Sequence, residues 1–282
     1  MILIVKADLA SAFITFIESE SYMKILAVGD VVSQPGLDTL NRLLRSVKKK
    51  HRIDFTIVNG ENASGVGITP NQADDIFSAG ADVITLGNHV YNKRQIISYL
   101  DDCSYILRPA NVAPQQPGRG YGIFDACGYR LLMINLIGRC DMAYGPDNPF
   151  LLVDKILRQN EGRYDLAVCE IHANATSEKL AMGYYLDGRC CAIYGTHTHV
   201  QTADERINPK GSGYITDIGM TGPIWSVLGV QPEQSIAMFR GDLTDYFKAA
   251  EGECALSGVV FDVDPSTGKC LGVERVFERL HL

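Results

Sequence analysis

Residues 55–62 read Phe-Thr-Ile-Val-Asn-Gly-Glu-Asn, a short apolar run that stops abruptly in polar side chains. The pattern recurs along the chain. Ile25–Gly29 leads into Asp30, Val83–Leu86 into Gly87-Asn88-His89, and Leu131–Ile137 into Gly138-Arg139. Leu166–Val168 leads into Cys169-Glu170-Ile171-His172, and Ala192–Tyr194 into Gly195-Thr196-His197-Thr198-His199. Short β-rich runs with Gly near the exit predict strands.

Helical patterns lie between several of them. Leu40, Leu43, Leu44 and Val47 give Asp38–Lys50 the spacing of an amphipathic helix. Thr69-Pro70 fits an N-cap followed by Pro at the first helical position, with Gly80 as the stop after Ala79. Lys93–Leu100 and Pro149–Gln159 read the same way. Strand and helix in alternation predict an α/β architecture. Later, Gly211–Ile218 and Leu256–Val263 read as strands, residues 264–268 as a turn, and Cys270–Phe277 as the return strand of a hairpin. The sheets are therefore expected to be mixed. With no repeat, low-complexity segment or linker, residues 23–282 read as one domain.

The chain has 282 residues, 46% hydrophobic and 21% charged, which excludes a disordered, collagen-like or coiled-coil chain. Its net charge of −7 gives no global attraction to nucleic acid or an anionic membrane. A phosphate-bearing substrate would need local positive charge, from a metal or a few arginines. The eight cysteines form no C-x-x-C pair and read as buried thiols in a reducing cytosol. Cys190 and Cys191, adjacent at a strand start, should face opposite ways. Residues 1–22 are fairly apolar, but Asp8 interrupts them and no basic cluster precedes them. They make a poor signal peptide, and their clean apolar piece is too short to span a bilayer. They read as an extension outside the core or an unused upstream start; the plainer alternative is an accessory helix packed on the domain.

Parallel strands bring their C-terminal ends to one edge, where open α/β folds bind ligands. Asp30, Glu61, Asn88, His172, His197 and His199 all fall at such ends, and only His51 and His281 among the histidines lie elsewhere, as expected surface residues. Each residue alone has a plainer reading: a turn-forming Asp or Asn, a hydrogen-bonded core His. Together they form an oxygen and nitrogen donor set without thiolate, suited to Mn, Fe or Zn. In an extended segment His197 and His199 point to the same side. They could flank two ions ~3.5–4 Å apart, with Glu61 or Asp30 bridging.

Gly29-Asp30, Gly60-Glu61-Asn62, Gly87-Asn88-His89, His172 and Gly195-Thr196-His197-Thr198-His199 resemble the calcineurin-like metallophosphoesterase signature. More narrowly, the chain resembles the YmdB-like bacterial 2',3'-cyclic-nucleotide 2'-phosphodiesterases from Met23 to about Arg275. The matching stretches are NGENASGVGITP (59–70), RPANVAPQQPGRGYG (108–122), ATSEK (175–179), YYLDGR (184–189), GTHTHVQTADERI (195–207) and TDIGMTGP (216–223). The resemblance implies a four-layer α/β/β/α sandwich with a dinuclear site at the strand ends. By position, Asp30 and His199 would hold the first metal, Glu61 would bridge, and Asn88, His172 and His197 would hold the second. Val32 stands where the wider superfamily has a metal-binding His, and Asn62 is expected to substitute through its side-chain oxygen. Glu170, Asn174, Tyr91 and Asn92 depart from the narrower family's usual residues, which bears on substrate choice and on the surroundings of the ligands.

The implied function is a metal-dependent phosphodiesterase acting on 2',3'-cyclic nucleotides, with 3',5'-cyclic nucleotides as a further substrate class. Two ions, iron or manganese with zinc also compatible, would supply a hydroxide that attacks phosphorus. His89 is the candidate to protonate the leaving ribose oxygen; a purely structural role is its alternative. Arg139 is a weaker candidate for neutralising phosphate charge, as are Arg108 and Arg119, for which ion pairing is the plainer reading. Trp225 could stack a base or simply pack. Gly118-x-Gly120-x-Gly122 has the wrong spacing for a dinucleotide fingerprint and reads as a loop. The competing functions are a phosphomonoesterase on nucleotides or phosphoproteins, and a regulatory RNA-associated protein with a structural metal site. The expected partner is a small nucleotide or phosphodiester in the cytoplasm, with no membrane and no stable DNA binding, and with a homo-oligomer left open.

Overall fold

The computed structural model describes residues 22–142 and 145–280. The expected N-terminal extension, residues 1–22, lies outside the described residues except for Tyr22, and so does His281. The chain begins with β1 (Met23–Val28), β2 (Asp30–Val31), α1 (Ser33–His51) and β3 (Phe55–Asn59). It continues with α2 (Pro70–Ala79), β4 (Val83–Thr85), α3 (Ile96–Asp102), β5 (Ile106–Leu107), β6 (Tyr121–Ala126) and β7 (Tyr129–Ile137). Next come α4 (Pro149–Gln159), β8 (Leu166–His172), α5 (Thr176–Tyr185), β9 (Ala192–Thr196), β10 (Arg206–Ile207) and β11 (Gly213–Ile215). Then follow β12 (Met220–Pro223), α6 (Pro232–Arg240) and the hairpin of β13 (Cys254–Asp264) and β14 (Lys269–Leu280).

Two mixed sheets result. The first runs β2-β12-β13-β1-β3-β4-β5, with β14 paired to β13. Strands β1, β3, β4 and β5 are parallel, and β13 is antiparallel to β1. The second runs β10-β11-β9-β8-β7-β6, parallel through its middle with antiparallel edges.

Side-chain parity builds the layers. In β1, Ile25 and Ala27 enter the core between the sheets, while Leu26 and Val28 pack under Leu37, Leu40 and Leu44 of α1 and Ile76 of α2. In β8, Leu166 and Val168 face the other sheet, while Ala167, Cys169 and Ile171 pack with Val153 and Ile156 of α4 and Met182 of α5. Successive strand residues alternate faces, so a strand covered on both sides reads as a continuous apolar run. The outcome is the expected four-layer α/β/β/α sandwich. Cys190 and Cys191 enter opposite layers, as adjacent extended residues must.

Helix α2 starts where its sequence says. The Thr69 hydroxyl accepts from Gln72 N while Gln72 Oε1 accepts from Thr69 N, a reciprocal cap, and Gly80 at φ 122° ends the helix. Elsewhere the boundaries move. Strand β8 runs past Val168 to His172, because Glu170 and His172 are buried with partners rather than released into a loop. Helix α3 starts at Ile96 instead of Lys93, and Gly122 belongs to β6 rather than to a loop. Helix α5 has no apolar stripe to read, since it buries only Lys179, Met182 and Gly183. His51 is half-buried rather than a surface residue, with Nδ1 3.5 Å from Glu274.

Candidate metal centre

The parallel strands of both sheets end on one edge, and the polar residues that follow them meet there. Asp30 comes from β2, Glu61 and Asn62 follow β3, and Asn88 and His89 follow β4 in the first sheet. His172 ends β8, and His197 and His199 follow β9 in the second.

His172 is the hub. Its Nε2 lies 3.0 Å from Glu61 Oε1, 3.0 Å from Asn88 Oδ1 and 3.0 Å from His197 Nδ1. One imidazole nitrogen carries at most one hydrogen, so three such contacts cannot all be its hydrogen bonds. The other nitrogen settles the tautomer. Thr196 donates its hydroxyl hydrogen to Glu170 Oε1 at 2.8 Å, which leaves only lone pairs for His172 Nδ1 at 2.9 Å. Nδ1 is therefore the donor, and in the neutral ring Nε2 turns a lone pair toward the converging oxygens. Ligand atoms of Glu61, His172 and His197 all fall within 4.8 Å of one another, the arrangement a cation would gather.

Asp30, Asn62 and His199 form the adjoining half. His199 Nε2 is 3.1 Å from the Asn62 amide and 3.7 Å from Asp30 Oδ1. Asp30 is fully buried, and its Oδ1 has no hydrogen-bond partner. A carboxylate oxygen buried without a partner is costly unless something positive takes its place. These residues fit divalent ions: their donors are carboxylate, amide and imidazole, with no thiolate. Val32, at the position where a His was missing, is buried and packs against Gly229, so it offers no ligand.

The titration shifts follow from this crowding. Burial pushes Asp30 up to about 6, against the pull of His199 and His172. Burial also raises Glu61, but the His172 ring outweighs it and holds the carboxyl at about 2. Burial lowers His172, yet Glu61 more than compensates and lifts it to about 9. His197 falls to about 3 through burial and the neighbouring His172.

Sequence reasoning had not assigned the groups that hold this ring in place. Glu170 accepts from Asn59 Nδ2 at 2.7 Å, from Thr196 and from the Tyr194 hydroxyl at 3.0 Å. Asn59 in turn accepts from Glu61 N at 3.1 Å, so one buried carboxylate orients both Glu61 and His172. The buried pair Lys179–Asp217 lies beneath the turn that carries His197 and His199. That turn is not extended: His197 has φ 95° and His199 φ 63°.

His89 stands beside the ring. Its backbone N donates to Glu61 Oε2 at 3.1 Å, and its side chain approaches Asn88 and Asn92. A cleft of about 360 Å³ is lined by Glu61, Asn62, His89, Asn174, His197 and His199, among others. A second hollow of about 550 Å³ shares His199 and Leu228 with it and has no Asp, Glu, Lys or Arg in its walls. Arg139 follows β7 at the same edge; it is exposed and does not line the cleft. Arg108 is spent on the carbonyls of Pro109, Gln116 and Pro117, Arg119 lies against Asp101 O, and Trp225 is exposed.

The chain has relatives of known structure and sequence. A solved structure of a hypothetical protein from Thermus thermophilus superposes with a TM-score of 0.85 at 34% identity, covering 91% of this chain and 99% of that one. One described as a novel phosphatase from Mycoplasma pneumoniae gives 0.85 at 33% identity over 92% of this chain and 94% of that one. A 2',3'-cyclic-nucleotide 2'-phosphodiesterase of Bacillus subtilis (strain 168) is 46% identical over 255 residues, 90% of this chain and 96% of that protein. The family described as YmdB-like protein matches residues 26–276, a span that takes in every residue of the ring and all of both sheets but the outer ends of β1 and β14. A family match over that span and 46% identity over 90% of the chain show that the chain belongs to the YmdB-like family.

Proposed function

We propose that this chain is a metal-dependent phosphodiesterase of cyclic nucleotides, with 2',3'-cyclic nucleotides as the first substrate class and 3',5'-cyclic ones as the second. The observation that carries this reading is the convergence on His172 Nε2 beside the unpartnered buried Asp30 Oδ1. Asp30, Asn62 and His199 would hold one ion, and Asn88, His172 and His197 another, with Glu61 between them; iron or manganese suits this donor set best. Bound divalent ions would supply charge neutralisation for the phosphate and an activated water.

The chain's own residues do the rest. Glu170 and Thr196 keep the His172 proton on Nδ1, so that Nε2 stays free to bind. His89, on the cleft wall, would give a proton to the departing ribose oxygen. Arg139, at the same edge, would reach the phosphate oxygens from outside the ring. The uncharged hollow beside His199 leaves room for an organic group next to the phosphate site.

The net charge of −7 supports a nucleotide-sized substrate rather than DNA. Eight free cysteines support a reducing cytoplasm. Among the described residues, no helix is long and apolar enough to cross a membrane. Exposed Trp225, Phe239, Leu243, Tyr246 and Phe247 support self-association.

The test is hydrolysis of 2',3'-cyclic AMP, 3',5'-cyclic AMP and bis-p-nitrophenyl phosphate, with metal analysis on the same protein. Turnover with about two metals per chain, lost in Asp30→Asn and His89→Ala, is the expected result. Metal-loaded protein that cleaves none of the three overturns the reading.

A further inference from the structure

We infer that Lys179 and Asp217 are positioning residues that hold the His197–His199 turn in its metal-binding shape; this rests on the metal-centre reading above. Lys179 Nζ lies 2.6 Å from Asp217 Oδ2, and each side chain is 1% exposed. The lysine also donates to Thr196 O at 2.8 Å. The same Asp217 Oδ2 accepts from Thr198 N at 3.1 Å and from the Thr198 hydroxyl at 2.7 Å. The pair thus grips the backbone immediately before and immediately after His197.

That grip is placed where the backbone needs it. His197 and His199 both lie at positive φ, a region that side-chain-bearing residues rarely adopt and that persists only when the surroundings enforce it. Released, the segment would relax toward the extended form that its sequence suggests, and the two imidazoles would leave the ring. Gly195 shows how tightly the clamp is seated: a Cβ there would stand 2.5 Å from Lys179 Cδ.

Asp217 reaches the other half of the centre as well. Its Oδ1 accepts from Gly219 N at 2.9 Å. Gly219 O packs so closely on Gly29 that a Cβ on Gly29 would overlap it, and Asp30 follows directly. One carboxylate therefore braces the backbone on both sides of the space between Asp30 and His199. Neither Lys179 nor Asp217 is among the residues lining the cleft, so their effect passes through the ligands and not through substrate.

The test uses the full chain stripped with a chelator and then titrated with Mn²⁺. Its variants are Thr198→Val, Thr198→Ser and the neutral pair Lys179→Met with Asp217→Leu. Replacing both charges strands neither charge, but Thr196 O, Thr198 N and Gly219 N lose their partners, so the double variant is expected to fold with a lowered unfolding midpoint. Its Mn²⁺ affinity should fall by about tenfold or more, the range for groups that orient ligands. Amide exchange over residues 192–202 of the metal-free protein should quicken. Thr198→Val should fall in the same direction, and Thr198→Ser, which keeps the hydroxyl, should match the parent. Wild-type affinity and exchange in the double variant would overturn the inference. Should the double variant not fold, the Val and Ser variants at 198 decide: equal affinities overturn it, and a loss in Val alone supports it. A parent protein that takes up no Mn²⁺ defeats the proposed function, and the clamp is then judged on exchange, by whether Thr198→Val quickens it and Thr198→Ser does not.

Discussion

Gly87 stands so close to His172 that a Cβ at position 87 would overlap the ring's Nε2. It would overlap Glu61 Oε2 as well. The glycine before Asn88 is thus a condition of the ring, for a reason of space. Gly87→Ala should fold with a loss of ~1–3 kcal/mol, as overpacking usually costs. It should bind little metal and show at least ~100-fold lower turnover. Metal content by emission spectrometry, beside circular dichroism and a urea titration, checks both halves.

Thr196→Val tests the relay that fixes the His172 tautomer. The substitution keeps the shape and removes the hydroxyl between Glu170 and His172. Metal affinity should drop by ~10–100-fold, and stability by ~1–3 kcal/mol, because Nδ1 loses its buried acceptor. Tyr194→Phe removes a different bond to Glu170 and leaves the relay whole, so it should keep the parent's metal affinity. Mn²⁺ titration of the two variants side by side gives the comparison.

Asp30→Asn should move stability and metal binding in opposite directions. Burial raises the Asp30 pKa from 3.8 to about 6, so the folded state disfavours its charge. A raised acid costs stability as pH climbs from the unfolded value through the folded one, and the cost is complete above about 6. Replacing it with a neutral amide should therefore stabilise the metal-free protein at pH 7 by ~1–3 kcal/mol, while metal uptake falls. Denaturant curves with and without chelator make the measurement.

The thiols should divide by burial. Cys127 and Cys140 are exposed, while Cys169, Cys190, Cys191, Cys254 and Cys270 are buried. Burial pushes Cys190 up to about 12 and Cys270 to about 11, so neither forms thiolate near neutral pH. At pH 8 an aromatic disulfide reagent should label Cys140 first. Cys127 should follow more slowly, because burial and Asp54 raise its thiol. The buried five should react only in denaturant, read as absorbance against time.

The strand-end residues were legible because a strand buried on both faces is an unbroken apolar run, and its polar exit is conspicuous. Asp30, Glu61, Asn88, His172, His197 and His199 were singled out in that way, and the alternation of strands with helices gave the α/β class, while the four-layer arrangement was implied only by the family resemblance. Two-residue strands such as β2 and β10 have no period to read. Helix α5 stayed hidden for a related reason, since its buried face centres on Lys179, a residue that sequence alone places in solvent.

The chemistry of the candidate centre was written in residue types and their order: oxygen and nitrogen donors, no thiolate, and a glycine directly before Asp30, Glu61 and Asn88. Which atom faces which was decided by contacts between residues far apart in the chain. Glu170 reaches Asn59 across 111 positions, and Lys179 reaches Asp217 across 38. Local sequence can specify a strand and the polar residue that ends it. The tautomer of His172 and the left-handed turn through His197 and His199 depend on buried partners, and only the closed sandwich brings those partners into place.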